Sequence, residues 1–154
     1  MIEYHLVSNW KLNATVDQVW AILDDPATWP QWWPCWQSVE VRPNQAIRVG
    51  SRINARVHGK LPYSLPIELE VSHWDAPALS QYSCEGSLSG SGACRISNDG
   101  VHTEVEFDWN VGTTNWLFNL LGRLGFIKKM IRNNHAFVMA QGQAGIDKRL
   151  AARS

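Results

Sequence analysis

The sequence is short of charge, of long apolar runs and of cysteine. Asp, Glu, Lys and Arg make up 18% of its 154 residues, against about 25% in an ordinary globular chain. Apolar residues make up 45%, a composition that builds a core and excludes a disordered or solvating protein. The longest uninterrupted apolar runs are five residues, Val19 to Leu23 and Ala136 to Ala140, whereas a membrane-spanning helix needs about twenty. The first ten residues carry no basic stretch and alternate polar with apolar, so no secretory leader is expected and the chain reads as cytoplasmic. Its three cysteines, Cys35, Cys84 and Cys94, form neither a paired framework nor a C-x-x-C, as expected of free thiols in a reducing compartment.

Charge of one sign is missing from each part of the chain in turn. Residues 1–112 hold 7 Lys/Arg against 13 Asp/Glu, and residues 113–154 hold 7 Lys/Arg against the single Asp147. The formal net charge is zero, so there is no bulk attraction to nucleic acid and no nucleic-acid partner is expected. What is abundant is tryptophan: nine residues, four of them in Trp29-Pro-Gln-Trp32-Trp33-Pro-Cys-Trp36.

Residues 2–12 alternate with the period of a half-buried strand. Thr15-Val-Asp-Gln18 has capping-box spacing, followed by Val16, Val19, Trp20 and Leu23 at helical intervals and a stop at Asp24-Asp25-Pro26. The Pro- and Trp-rich stretch from 26 to 36 reads as one or two tight helical turns. Six alternating segments then run from Gln37 to Thr113, the third of them opening at Tyr63. They are broken by turn chemistry at Pro43-Asn44, Gly59-Lys60, Asp75-Ala-Pro77, Ser89-Gly90 and Asn98-Asp99-Gly100. Short connections predict an antiparallel meander. After Gly112 the period becomes helical to about residue 151, with Gly122 and Gly125 expected to split off a short piece, Trp116 to Leu124. On a helical wheel Phe126, Ile127, Met130, Ile131, Phe137, Val138 and Ala144 share a face that also holds Asn134 and Gln141, with Lys128, Lys129 and Arg132 opposite.

The expected fold is therefore one α+β domain over residues 1–154, a seven-stranded antiparallel sheet with two short helices after its first strand and one long C-terminal helix. One helix cannot cover so much apolar sheet by flat contact, so the sheet must curl around it and enclose a hollow.

These residues have a familiar arrangement. Thr15-Val-Asp-Gln-Val-Trp20, Asp25-Pro26 and Trp29-Pro-Gln-Trp-Trp-Pro34 resemble the START-like helix-grip superfamily, also called SRPBCC. Leu61-Pro62-Tyr63, Glu85-Gly86-Ser-Leu88-Ser-Gly90-Ser-Gly92, Asn134-His135 with Val138-Met139, and Gly142 through Gly145-Ile146 resemble its polyketide cyclase/dehydrase and lipid-transport-like branch, over about residues 5–150. The resemblance implies a helix-grip fold with a cavity between sheet and long helix for a small hydrophobic molecule. Members include lipid carriers, cyclases and regulatory modules. The chain departs from the branch at Cys94, where a large aromatic is expected, and at Asn133, where an aromatic usually precedes Asn134-His135.

Catalytic signatures are absent: there is no H-E-x-x-H, P-loop or Rossmann fingerprint, and Leu88 stands at the centre of what would be a nucleophile elbow. The C-x-H spacing of a Rieske centre does not occur. The five histidines have no ligand spacing, so neither metal nor cofactor is expected. Asn134 and Gln141, polar in an apolar face, either contact a ligand or bond to backbone or water. His135 is either an acid or base near neutral pH or a tie to a neighbouring strand, and Tyr63 is a second proton-transfer candidate. The tryptophans from 29 to 36 form a wall or a plug. Cys84 and Cys94 are expected on one face of adjacent strands, as small apolar groups lining the hollow. Residues 116–132 have the composition of an interfacial helix that touches a membrane transiently, or of a lid with its basic residues turned to the acidic sheet. No pattern sets an oligomeric state.

The ligand-contacting set expected from these readings is Trp29, Trp33, Tyr63, Leu69, Tyr82, Cys84, Cys94, Phe107, Trp109, Met130, Asn134, Phe137, Val138 and Gln141. A non-enzymatic binder or carrier of a lipid, isoprenoid or polyketide-like molecule is the preferred function. The alternatives are a cofactor-free cyclase or dehydratase, and an interaction or regulatory module with a vestigial cavity.

Overall fold

A computed structural model describes residues 2–113, 120 and 124–153. Strand β1 (Glu3–Leu12) leads to helix α1 (Val16–Leu23), a single 3-10 turn (Pro26–Thr28) and the one-turn helix α2 (Trp29–Trp32). Six strands follow: β2 (Trp36–Arg42), β3 (Arg52–Val57), β4 (Leu65–Asp75), β5 (Leu79–Gly86), β6 (Leu88–Asn98) and β7 (Thr103–Thr113), and helix α3 (Gly125–Arg153) closes the chain. The capping box is formed in both directions: Gln18 N–H donates to Thr15 Oγ1 at 3.1 Å and Thr15 N–H to Gln18 Oε1 at 2.9 Å, satisfying two helix-end donors. The short helical piece expected at 116–124 lies almost wholly outside the described residues. No described helix is long and apolar enough to cross a membrane.

The seven strands form one antiparallel sheet in the order β1-β7-β6-β5-β4-β3-β2. Its curl follows from what α3 touches. Trp10 on edge strand β1 donates its indole N–H to the Met139 carbonyl at 3.1 Å, and Gly59, just past β3 near the other edge, packs on Asn134 and Val138. Both ends of the sheet therefore reach one helix, which is possible only if the sheet wraps around it. The inward positions of the strands make the core, with Trp10, Leu12, Ile53, Leu69, Val71 and Val105 fully buried and joined by Val19 of α1 and Ile146 of α3.

Three expectations change. Tyr63 precedes β4 rather than opening it. Ser89-Gly90 is inside β6; the reversal comes earlier, at Gly86 and Ser87, where Gly86 takes φ +106° and a Cβ would stand 2.9 Å from the Pro66 carbonyl oxygen. Gly90 instead lets β6 approach Asn110 and Val111 of β7.

The third change concerns the buried face of α3, which is Ile127, Val138, Met139, Gly142 and Ile146. Phe126, Gln141 and Ala144 are exposed. The face is turned by about one residue's 100° from the wheel of large apolar side chains, because the helix docks through its glycines. A Cβ on Gly142 would meet the rings of Trp33 and Trp10, and one on Gly145 would overlap the Trp32 carbonyl. Glycine has no weight on a hydrophobic wheel, yet it lets large partners come close.

This docking makes the same substitution costly at one position of the helix and nearly neutral at another. Gly145→Ala destabilises by about 1–3 kcal/mol net through overpacking, despite the roughly 1 kcal/mol of helix propensity that alanine gains. Gly125→Ala, with open space around it, stays within about 0.5 kcal/mol of the parent. Urea unfolding of the two variants measures the contrast.

Candidate functional site

Between the concave face of the sheet and α3 lies a cavity of about 400 Å³, within the size range of small-molecule sites. The helix contributes Ile131, Asn134, His135, Val138 and Met139, and the tryptophan segment contributes Trp29, Trp33 and Trp36. No Asp, Glu, Lys or Arg is among the described lining residues. The charged side chains stand on the convex outer face, in exposed pairs such as Arg52 with Glu68 at 2.9 Å and Arg95 with Glu106 at 3.5 Å.

The tryptophans act as wall and plug together. Trp33 donates its indole N–H to the Val138 carbonyl at 2.9 Å, and Trp29 to the Leu23 carbonyl at 3.2 Å. Each ring is thereby held by its polar edge while its apolar body faces its neighbours. The centroids of Trp29 and Trp36 are 5.0 Å apart, those of Trp33 and Trp36 5.7 Å, and those of Trp10 and Trp33 5.2 Å. This network closes one end of the sheet and presents Trp29, Trp33 and Trp36 to the hollow. Trp20, its ring centroid 4.8 Å from that of Trp74 with the planes tilted by 56°, extends the wall.

Opposite, β5, β6 and β7 supply a row in which Tyr82 pairs with Gly92 and Gly92 with Trp109. A side chain at Gly92 would collide with the Trp109 ring; without one, Trp109 lies flat toward Tyr82, with centroids 6.4 Å apart and planes 21° apart. Tyr82 donates its hydroxyl to Ser80 Oγ at 3.1 Å. Cys84 and Cys94 are buried, free, and on the same side of adjacent strands, both lining the cavity with Leu69 and Phe107. Desolvation pushes each thiol up to about 12, so both are protonated at neutral pH and neither is a nucleophile.

Of the helix residues singled out in the sequence, the structure brings Asn134, His135 and Val138 to the cavity. Three do not line it. Gln141 is exposed, Met130 is half-buried, and Phe137 packs beneath Lys60, whose Nζ is 5.4 Å from the ring centroid. The cause is the rotation of the docked face described above. Tyr63 lines the cavity from the segment between β3 and β4, at 40% exposure. Trp36, read with the other tryptophans of 29 to 36 as a wall or plug, lines it too, and sequence reasoning passed over Tyr4, Leu6, Trp20, Trp74 and Met139, which also line it. The alternation of β1 places Tyr4 and Leu6 inward, so the signal for those two was present.

Asn134 has a structural partner, since its Oδ1 accepts the Lys60 N–H at 2.7 Å. It thereby pins the segment that carries Leu61 and Tyr63 over the cavity. A Cβ on Gly59 would overlap that same oxygen, so glycine there is the condition for the bond. Asn134→Ala is expected to cost about 0.5–1.5 kcal/mol. Gly59→Ala is expected to cost less in the Asn134→Ala background than in the parent, a non-additivity that a double-mutant cycle in urea measures.

His135 is half-buried, and its Nε2 is buried without a hydrogen-bond partner among the described residues. Desolvation lowers its pKa below the ordinary 6.5, so the ring is neutral at pH 7 and able to give or take a proton. The Tyr4 hydroxyl and the Trp36 indole N–H are likewise buried without partners among the described residues. Among the described residues no group of three or more His, Cys, Asp or Glu is placed to hold a metal ion. The unfolded chain protonates His135 as pH falls through about 6.5, while the folded chain holds it neutral to lower pH. His135 therefore leaves stability intact above that pH and erodes it below. Melting temperatures at about pH 7.5 and about pH 5.5 are expected to fall further apart in the parent than in His135→Gln.

The fold has counterparts among solved structures. The chain superposes on the Zhui aromatase/cyclase from Streptomyces sp. R1128 with a TM-score of 0.74 at 13% identity, covering 99% of this chain and 96% of that one. It matches a START superfamily protein from Mycobacterium smegmatis with a TM-score of 0.73 at 12% identity over 97% and 99%. A protein from Thermus thermophilus gives 0.73 at 18% identity over 98% and 100%. At these identities the likeness is one of fold. No curated protein matches the sequence. Residues 6–141 match the family model described as polyketide cyclase / dehydrase and lipid transport, and the chain, with its helix-grip fold, belongs to that family.

Proposed function

We propose that the protein binds one small hydrophobic molecule in the cavity between the sheet and α3. The observation that carries this reading is a tryptophan-walled hollow with no charged group among its described lining residues. A ligand burying about 400 Å² of apolar surface gains about 10 kcal/mol at roughly 25 cal/mol per Å². Association costs about 4 kcal/mol or more, leaving about 6 kcal/mol, a dissociation constant in the tens of micromolar. Three buried free thiols suit a reducing, cytoplasmic setting. Exposed Leu124 and Phe126 beside exposed Lys128, Lys129 and Arg132 suit brief contact with an anionic membrane surface, where a carrier meets insoluble cargo.

A second reading, a cofactor-free cyclase or dehydratase, is favoured by one feature: a neutral His135 in the cavity wall whose Nε2 has no partner among the described residues. Such a group transfers protons while the walls hold a reactive chain folded.

The test of the first reading is titration with the neutral fluorophore N-phenyl-1-naphthylamine. The expected result is tryptophan quenching with micromolar affinity, weakened about tenfold or more by Cys94→Phe, which fills the hollow beside Phe107. An absence of binding, or binding indifferent to the filled cavity in a folded variant, overturns the reading.

A further inference from the structure

The polar atoms left without partners in the cavity wall are all neutral, and two of them lie at one end. Tyr4, 3% exposed, forms a cluster with Leu6 and Val111 against which Ile131 of α3 packs. Ile131 and His135 are four residues apart and therefore neighbours on one helix face. Both Tyr4 and His135 line the cavity, and the Tyr4 hydroxyl and His135 Nε2 are buried with no hydrogen-bond partner among the described residues. A buried polar group in that condition is destabilising until something supplies the bond. A tyrosine hydroxyl donates or accepts, and a neutral imidazole nitrogen does either according to tautomer. Together they suit a ligand hydroxyl or carbonyl.

A carboxylate would find different surroundings. It brings a full charge and only acceptors, and the described lining offers no cation to compensate its desolvation. Arg132 is close enough to Tyr4 to act on its hydroxyl electrostatically, but its side chain is exposed to solvent, where the charge is screened.

We infer that the cavity selects uncharged ligands bearing a hydroxyl or carbonyl, received by Tyr4 and His135, and discriminates against free carboxylates such as fatty acids. This rests on the reading that the cavity holds a ligand, and it adds the chemical class and the two residues that set it.

Three probes of one shape test it: naphthalene, 2-naphthol and 2-naphthoate, titrated calorimetrically at about pH 7.5, where 2-naphthol is neutral and 2-naphthoate is charged. The expected order places 2-naphthol about tenfold or more tighter than 2-naphthoate. Tyr4→Phe and His135→Leu are each expected to weaken 2-naphthol about threefold to tenfold and to leave naphthalene unchanged. If 2-naphthoate binds as well as 2-naphthol while N-phenyl-1-naphthylamine still binds, the charge rule is overturned and the cavity reading stands. If the variants weaken naphthalene as much as 2-naphthol, the polar role of the two residues is overturned. If no probe binds, the cavity reading fails and this inference with it. The order of the probes on the parent chain requires no variant, so misfolding of His135→Leu would leave that comparison and Tyr4→Phe to decide.

Discussion

The hollow depends on how α3 is held at one end. Between Val138 and Ile146 the helix meets the tryptophans through Gly142 and Gly145, close enough that no Cβ fits, while Trp10 and Trp33 bond its Met139 and Val138 carbonyls. Rigid rings on one side and missing side chains on the other set the depth of contact. The preceding stretch, Ile131 to His135, stands over the sheet without that contact and roofs the cavity. A helix docked through large side chains along its whole length would stand off evenly; this one is drawn in where its glycines are. The cavity is thus a consequence of uneven docking on a curled sheet, and the tryptophan platform both creates and lines it.

Legibility in the sequence follows from which elements have side chains that report their surroundings. The strands do: period-two alternation placed Leu69, Tyr82, Cys84, Cys94, Phe107 and Trp109 on one surface, and all of them line the cavity. Such alternation has only two answers per strand, so it is robust. The helix has a continuum of faces, and its true face is marked by glycines, which the hydrophobic wheel ignores. The same omission took Met130, Phe137 and Gln141 out of the site and left Met139 unnoticed. The Gly86-to-Gly92 segment was ambiguous for a related reason. Its glycines serve a turn at Gly86, a close strand approach at Gly90 and room for an indole at Gly92, and composition does not distinguish these uses.

Charge is segregated by layer. The acidic outer face of the sheet is matched by its own strands' cations, Lys11 with Glu104, Arg52 with Glu68 and Glu70, and Arg95 with Glu106. Such exposed pairs contribute about 0–1 kcal/mol each and chiefly keep the surface wet. Lys128, Lys129 and Arg132 of α3 are exposed and make no ion pair among the described residues, so these cations face solvent instead of the acidic sheet. The zero net charge is thus the sum of an acidic surplus in residues 1–112, only partly paired on the sheet, and an equal basic surplus in residues 113–154, with no charged side chain among the described residues that line the cavity.

That interior limits the chemistry open to the protein. Nucleophilic catalysis needs an ionised or base-activated group, and burial drives Cys84, Cys94 and Tyr82 toward their protonated forms. General acid-base chemistry needs a group that changes protonation near neutrality, and among the described residues of the cavity wall only His135 approaches this, with burial pushing it toward the neutral base. Carrier and cyclase therefore differ at one side chain. If His135 meets a ligand atom that bears a mobile proton, the walls hold a reaction; if it meets one that does not, the same contact is recognition alone. The geometry of the hollow is common to both, and the ligand's own chemistry at Nε2 separates them.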